Sequence, residues 1–360
     1  MENVTEIQFN VNTTFPLWLI VCYCVFVFVG FFLNLCITLN LLQRKQTGAF
    51  SLILQLTIVD CLSTFIAVIE VWSVNKHTWA FSTTLCLVYS GSEVLINTFI
   101  LYNIVCLNFH VISTVNLHLR RIEKTKKQRI TTLDEEDPEE FLVQTSEDQH
   151  YNRNIVIDYR RHKNNISIIF PLLLVWFVCL SISVPQYTLS TTVIVQNNST
   201  LCTVFDIFYN KLLQDLSMVF RIVIPVPLLL LSLLLLIKKC YQNKYANPSN
   251  QNEPNKIEKN RTLLILGIVL TVTYIILSLQ RQIFYLLHII AQEIEVNDTT
   301  NSFKMPPLEN STCSNFTNLL SSITHYTSST FRPLIYIFVL PELRHVFNIK
   351  RKLKCHKSKP

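Results

Sequence analysis

Apolar residues gather into seven stretches along the chain, near 17–42, 50–74, 85–117, 165–188, 214–238, 262–290 and 317–340. Each is long enough to cross a hydrocarbon layer of ~30 Å as a helix rising 1.5 Å per residue. The pattern predicts an all-α membrane protein: a tail over 1–16, a seven-helix bundle over 17–340, and a short amphipathic helix with a basic end over 341–360. A long loop at about 118–164 separates the third and fourth stretches. In PELRHVFNIKRKLKC, Leu343, Val346 and Phe347 fall on one side and basic residues on the other, as in a helix lying on a membrane surface.

Polar residues interrupt these stretches at helical spacing. Asp60, Ser63, Ala67 and Glu70 recur at three- and four-residue steps in the second, and Glu93 and Asn97 share a face of the third. Thr271, Tyr274, Ser278, Arg281, Tyr285 and His288 align in the sixth; Ser321, His325, Ser328, Arg332 and Tyr336 align in the seventh. A charge facing lipid costs several kcal/mol, about 3 for arginine on insertion scales, so each stripe is expected to face the bundle interior. A single such residue is ordinarily an interhelical hydrogen bond. Four converging stripes predict a water-accessible cavity.

Composition agrees with a membrane solvent: 50% of the 360 residues are hydrophobic, 15% are charged, and only four are glycine. A soluble enzyme or a disordered chain of this length is a poor match. The polar opening MENVTEIQFNVNTTF lacks the short apolar core of a cleaved leader, so none is expected.

Charge then orients the bundle. Arg44 and Lys45 follow the first stretch; Arg120, Arg121, Lys124, Lys126, Lys127 and Arg129 follow the third. Lys238, Lys239, Lys244, Lys256, Lys259 and Arg261 follow the fifth, and Lys350, Arg351, Lys352 and Lys354 follow the seventh. The positive-inside rule places these loops in the cytosol. The opposite loops carry the N-x-S/T acceptor sites Asn3, Asn12, Asn198, Asn297, Asn310 and Asn315, which independently predicts an extracellular N-terminus and a glycoprotein. Asn165 and Asn260 also match the pattern but fall at the cytosolic side, as chance matches. The net charge of +7 is mostly cytosolic and favours anionic lipids and acidic partner surfaces, with no nucleic acid implied. In the long loop, TLDEEDPEEFLVQTSED is an acidic block that reads as disordered, with a regulatory or phosphorylated segment as the second reading.

Most of the eleven cysteines sit inside apolar stretches as small packing residues. Cys86, at the mouth of the third, and Cys202, in the loop between the fourth and fifth, form the natural oxidised pair. Cys313 is left odd. Cys355, beyond the basic end, reads equally as a palmitoylation site and as an exposed thiol. No H-E-x-x-H, Walker or G-x-S-x-G pattern appears and the histidines are scattered, so no enzyme, metal or cofactor is expected.

In this order and spacing the chain resembles the rhodopsin-like G-protein-coupled receptors, nearly throughout except for the long second cytosolic loop. Asn34 matches the asparagine of the first span and Asp60, in LQLTIVDCL, the aspartate of the second. WAFSTTLC reproduces the tryptophan-x-phenylalanine spacing ahead of the disulfide cysteine Cys86. Trp176 fits the fourth span's tryptophan, Pro225 the fifth's proline, and RPLIY the seventh's asparagine-proline-x-x-tyrosine, with Pro333 and Tyr336 retained.

The resemblance implies a plasma-membrane receptor that transduces binding of an extracellular ligand to a heterotrimeric G protein or arrestin. It implies a ligand pocket including Glu70, Glu93, Asn97, Arg221, Ser278, Arg281, Tyr285 and His325, and a core polar network of Asn34, Asp60, Arg332 and Tyr336. A pocket with both signs of charge favours a peptide or zwitterion, although Glu93 and Arg281 equally suit one another. In the family, the residues matched by Asp60 and Arg332 face each other around a hydrated sodium ion; here the second is a fixed cation, expected to reach Asp60, in one geometry with both guanidinium nitrogens. Two departures stand out. The chain has Asn108-Phe109-His110 near the place of the family's aspartate-arginine-tyrosine, and LSLQ (Leu277 to Gln280) in place of cysteine-tryptophan-x-proline. They support an alternative, a receptor-like protein that binds without activating a G protein. A seven-span chemosensory channel would have its N-terminus in the cytosol, and a transporter would show internal repeats and glycine-broken helices.

Overall fold

The computed structural model describes residues 17–43, 48–76, 78–134, 169–195, 199–204, 207–245, 254–284, 286–287 and 312–347. Helix α1 runs Leu17–Leu42, α2 Gly48–Lys76, α3 Thr83–Asp134 and α4 Ile169–Leu189. A hairpin follows, β1 (Ser190–Val195) and β2 (Ser199–Val204). Then come α5 (Ile207–Met218), a π turn (Val219–Val223), α6 (Pro225–Tyr245), α7 (Pro254–Leu277), α8 (Thr312–Val339) and α9 (Pro341–Phe347).

Helix α3 is the axis of the bundle. It packs against α2, α4, α6 and α7, while α8 closes the ring against α1, α2 and α7. Ile53, Leu56, Ile104, Leu107, Leu229, Leu236 and Leu264 are fully buried between them. The outward faces are apolar as well, with Phe170 and Phe177 of α4 at 75% and 70% exposure. A bundle that is hydrophobic outside and polar within is built for lipid.

Among the described residues six helical stretches are long and apolar enough to cross a membrane: Ile20–Leu42, Gly48–Ser73, Thr83–Leu117, Ile169–Leu189, Lys211–Gln242 and Glu258–Leu277. Helix α8, at 28 residues, is long enough but carries too many serines, threonines and asparagines on its inner face.

The architecture departs from the sequence expectation in four places. The fold is not purely α: STTVIV and STLCTV, rich in β-branched residues, pair antiparallel with Thr192 opposite Cys202. The loop expected from residue 118 begins later, because α3 continues to Asp134; the segment from Val115 onward has neither glycine nor proline until Pro138 and is rich in Leu, Arg, Lys and Glu. The fifth span is not a regular helix. Pro225 has no N–H, and its ring crowds the carbonyl four residues back, that of Arg221. The chain answers with a π turn closed by Ile224 N–H to the Val219 carbonyl at 3.0 Å.

The fourth departure is in the sixth span, expected as one apolar stretch over 262–290. Helix α7 lapses at Ser278 and helix resumes over 279–284. The Ser278 hydroxyl donates to Ser328 Oγ on α8 at 3.0 Å. The Ser278 backbone N–H still donates to the Tyr274 carbonyl at 2.8 Å, so the hydroxyl adds a tie to α8 at the place where the helix lapses.

Candidate functional site

Toward the hairpin end, four charged side chains from four elements meet. Glu70 comes from α2, Glu93 from α3, Arg221 from the π turn and Arg281 from the helical turn after Ser278. Arg281 Nη2 lies 2.8 Å from Glu70 Oε1 and 3.3 Å from Glu93 Oε1. Arg221 Nη2 reaches the same Glu93 oxygen at 3.2 Å. The π turn matters here: by shifting the ladder it turns Arg221 inward, leaving it 7% exposed.

Neutral partners complete the cluster. Asn97 Nδ2 donates to Glu93 Oε1 at 2.5 Å, and Asn97 Oδ1 faces His325 Nε2 at 2.7 Å. Ser322 donates to Glu70 Oε1 at 2.7 Å, Tyr326 donates its hydroxyl to Glu70 Oε2, and the Arg281 guanidinium stands 5.4 Å from the Tyr326 ring centre. Two carboxylates and two guanidiniums sum to zero charge, which makes their burial affordable. The set is not sealed: the Arg281 and Glu93 side chains keep 19% and 14% of their surface, against 5% for Glu70.

The hairpin is a fixed roof over this end. Cys86, at the start of α3, is disulfide-bonded to Cys202 of β2. Trp79, 3% exposed, ties down β2: its backbone N–H donates to the Thr200 carbonyl at 2.6 Å, and Thr200 Oγ1 donates back to the Trp79 carbonyl. Trp79 also packs against Phe81 and Tyr89, each with ring centres 5.3 Å away, which is the work done by WAF in the WAFSTTLC segment.

Deeper in the bundle is a second, smaller polar layer. Arg332 Nη2 lies 2.9 Å from Asp60 Oδ1, with side-chain exposures of 4% and 0%. The contact is through one nitrogen, not both: Nη2 also donates to Ser328 Oγ at 3.1 Å, and Nε and Nη1 make no hydrogen bond among the described residues. The hydroxyl of Ser328 thus links Arg332 to Ser278. Asn34 turns its amide away from the pair, donating to the Gly30 carbonyl at 3.0 Å and the Ser329 carbonyl at 2.9 Å. This is possible because α1 meets α8 at Gly30, where a Cβ would stand 2.2 Å from Thr330 Oγ1. Tyr336 is fully buried beside this layer with no partner for its hydroxyl.

Asn108 is relocated by the structure. Expected near the cytosolic end of the third span, it is 0% exposed and inside the bundle, because α3 runs on well beyond it. Its amide donates to Ser232 Oγ of α6 at 2.9 Å and to Thr271 Oγ1 of α7 at 2.8 Å.

The residues named from sequence therefore divide. Glu70, Glu93, Asn97, Arg221, Arg281 and His325 form one connected outer cluster; Ser278 joins the inner layer instead, through Ser328. Tyr285, Asn3, Asn12, Asn198, Asn297, Asn310 and Cys355 lie outside the described residues, as do the side chains of Cys313 and Asn315. Sequence reasoning missed Ser322 and Tyr326, which hold Glu70. The signal was present: Ser322, Tyr326 and Ser329 form a second stripe one residue along from Ser321, His325 and Ser328. At the α9 end, a separate pocket of about 330 Å³ lies among Phe50, Lys259, Leu263 and Glu342. Among the described residues no group of three His, Cys, Asp or Glu side chains is placed to hold a metal ion.

The sequence model for the 7 transmembrane receptor (rhodopsin family) matches residues 154–336, just over half of the chain. The chain belongs to that family. It is a multi-pass membrane protein of the G-protein-coupled receptor type. A comparison with curated proteins finds no match.

Proposed function

We propose that this chain is a seven-span cell-surface receptor with its N-terminus outside, and that its outer charged cluster receives a peptide or zwitterionic ligand. One observation carries the reading: Arg281 is shared between Glu70 and Glu93, and Glu93 between Arg281 and Arg221, at the end of the bundle left partly open. A ligand bearing an ammonium and a carboxylate can take over one acid and one guanidinium without stranding a charge. A lipid or a simple amine leaves one of them unmatched. Such a ligand shifts an equilibrium between bundle packings only through contacts that differ between them, and exchanging ion-pair partners across four elements provides that difference.

On the cytosolic side the partner is a heterotrimeric G protein or arrestin. The second reading, binding without G-protein activation, is favoured by α3 itself: between Cys86 and Arg120 it holds no arginine to take the place of the family's cytosolic one. Coupling then falls to the basic run Arg120, Arg121, Lys124, Lys126 and Lys127. The plasma membrane, the glycosylated outer loops and a lipidated Cys355 complete the proposal. The deciding experiment is a screen of peptides and zwitterions on cells, read by both nucleotide exchange and arrestin recruitment. Potency unchanged in Glu93→Ala or Arg281→Ala, at normal surface level, removes the cluster from the site. Exchange that survives neutralising the five basic residues removes their role. A glycan-free N-terminus with a cytosolic epitope tag would point to a channel topology.

A further inference from the structure

The fold family implies a sodium ion between the second and seventh spans, and the residues at that place do not fit one. A sodium site needs an unshared carboxylate and several oxygens turned inward, in a pocket of net negative charge. Asp60 Oδ1 is instead in contact with the Arg332 guanidinium at 2.9 Å, so the pair sums to zero. The Asn34 amide faces the backbone of α1 and α8. An added cation would sit against a fixed cation in a region where both side chains are 4% exposed or less.

We infer that Arg332 is the resident cation of this site, that sodium does not bind there, and that the remaining polar atoms hold water. Asn34 Oδ1, Asp60 Oδ2, Arg332 Nε, Arg332 Nη1 and Tyr336 Oη are all buried without a hydrogen-bond partner among the described residues. Buried polar groups in that state are ordinarily bridged by ordered water, which takes two to four such partners. These atoms include two carbonyl-type or carboxylate acceptors, two guanidinium donors and a phenol, a set that water can bridge and a cation cannot.

The consequence is a different kind of control. A bound sodium ion is exchangeable, and its occupancy follows the ionic composition outside the cell. An arginine on α8 is tethered: it can leave Asp60 only by moving its own helix or changing rotamer. Through Ser328 it is also joined to Ser278, where α7 breaks. The linkage ties α2, the break in α7 and α8 into one unit that ions outside the cell do not set.

The test uses the purified full-length chain in detergent and needs no ligand. Thermal unfolding is followed in sodium, potassium and choline chloride at one ionic strength. The midpoints of the wild type are expected to coincide within ~1 °C, since a ligand that binds neither state shifts nothing. A sodium-specific rise of several degrees overturns the inference. Arg332→Asn restores an acid facing an amide, and its midpoint is expected to rise with sodium; a folded Arg332→Asn protein indifferent to sodium also overturns it. The wild-type comparison decides by itself if that variant does not fold. Because neither arm reads signalling, failure of the ligand proposal leaves the result unaffected.

Discussion

The side-chain amide of Asn108 on α3 donates to the hydroxyl of Thr271 on α7 at 2.8 Å, in a place where neither residue touches solvent. With Ser232 it clasps three helices around one amide. Ser232 and Thr271 each donate onward to a backbone carbonyl, Leu229 and Gly267, while the amide oxygen Asn108 Oδ1 has no hydrogen-bond partner among the described residues. Space for it comes from Gly267, where a Cβ would lie 3.0 Å from Asn108 Oδ1. Removing the amide strands neither hydroxyl, so Asn108→Ala is expected to cost only about 1–3 kcal/mol, two ordinary hydrogen bonds plus a small void. A thermal midpoint equal to wild type would show that the clasp contributes nothing.

The outer cluster is predicted to respond unequally to truncation. In Arg281→Ala, Glu93 keeps Arg221 and Asn97, whereas among the described residues Glu70 keeps neutral hydroxyls, those of Ser322, Tyr326 and Tyr89, and no cation. Breaking a buried pair costs about 3–5 kcal/mol, less here because Arg281 is partly exposed. Glu70→Gln combined with Arg281→Gln is therefore expected to be less harmful than the two single changes added together. Strictly additive losses in melting measurements would mean that the two side chains do not interact.

Two ion pairs in this chain should differ sharply in worth. Asp60→Ala or Arg332→Ala strands a charge in a fully buried layer and is expected to abolish most surface expression, at roughly 3–5 kcal/mol each, with partial recovery in the double variant. Lys259 and Glu342, 3.4 Å apart, are 47% and 39% exposed, so Lys259→Ala should cost less than about 1 kcal/mol. The ranking, read by surface expression and melting, fails if the exposed pair proves as costly as the buried one.

The roof offers a chemical check. Cys86→Ser or Cys202→Ser opens a loop of more than a hundred residues in the unfolded chain and is expected to lose ~2–4 kcal/mol, with lower surface level. Peptide mapping of the surface protein that finds both thiols free would contradict the disulfide.

How much of this was visible in the sequence depends on what kind of signal each feature leaves. The polar stripes were legible because a charge inside an apolar stretch has few places to go: Asp60, Ser63, Ala67 and Glu70 are each at most 4% exposed. The helical period then fixed which neighbours share their face. The π turn was less legible, since Pro225 announces a disturbed ladder but not whether the helix will kink or widen. The lapse at Ser278 left no local mark, since LSLQ holds neither glycine nor proline. Asn108 was misplaced for a related reason. Counting from Cys86 places a residue along α3 but does not say where that helix leaves the membrane. Tyr326 and Ser322 were overlooked because hydroxyls look ordinary in an apolar run until the carboxylate they hold is identified.

The length of α3 has a mechanical consequence. At 52 residues it rises about 78 Å, more than twice the ~30 Å of a hydrocarbon layer. It is clasped within the bundle at Asn108 and pinned at its start by the disulfide of Cys86. A rod held at one end and at mid-length magnifies rotation toward its other end. A tilt of about 5° about the Asn108 clasp swings Asp134, some 39 Å farther along, by roughly 3 Å. The stretch 120–129 lies on that distal half of α3, so a change too small to repack the core can still displace its backbone relative to the rest of the bundle.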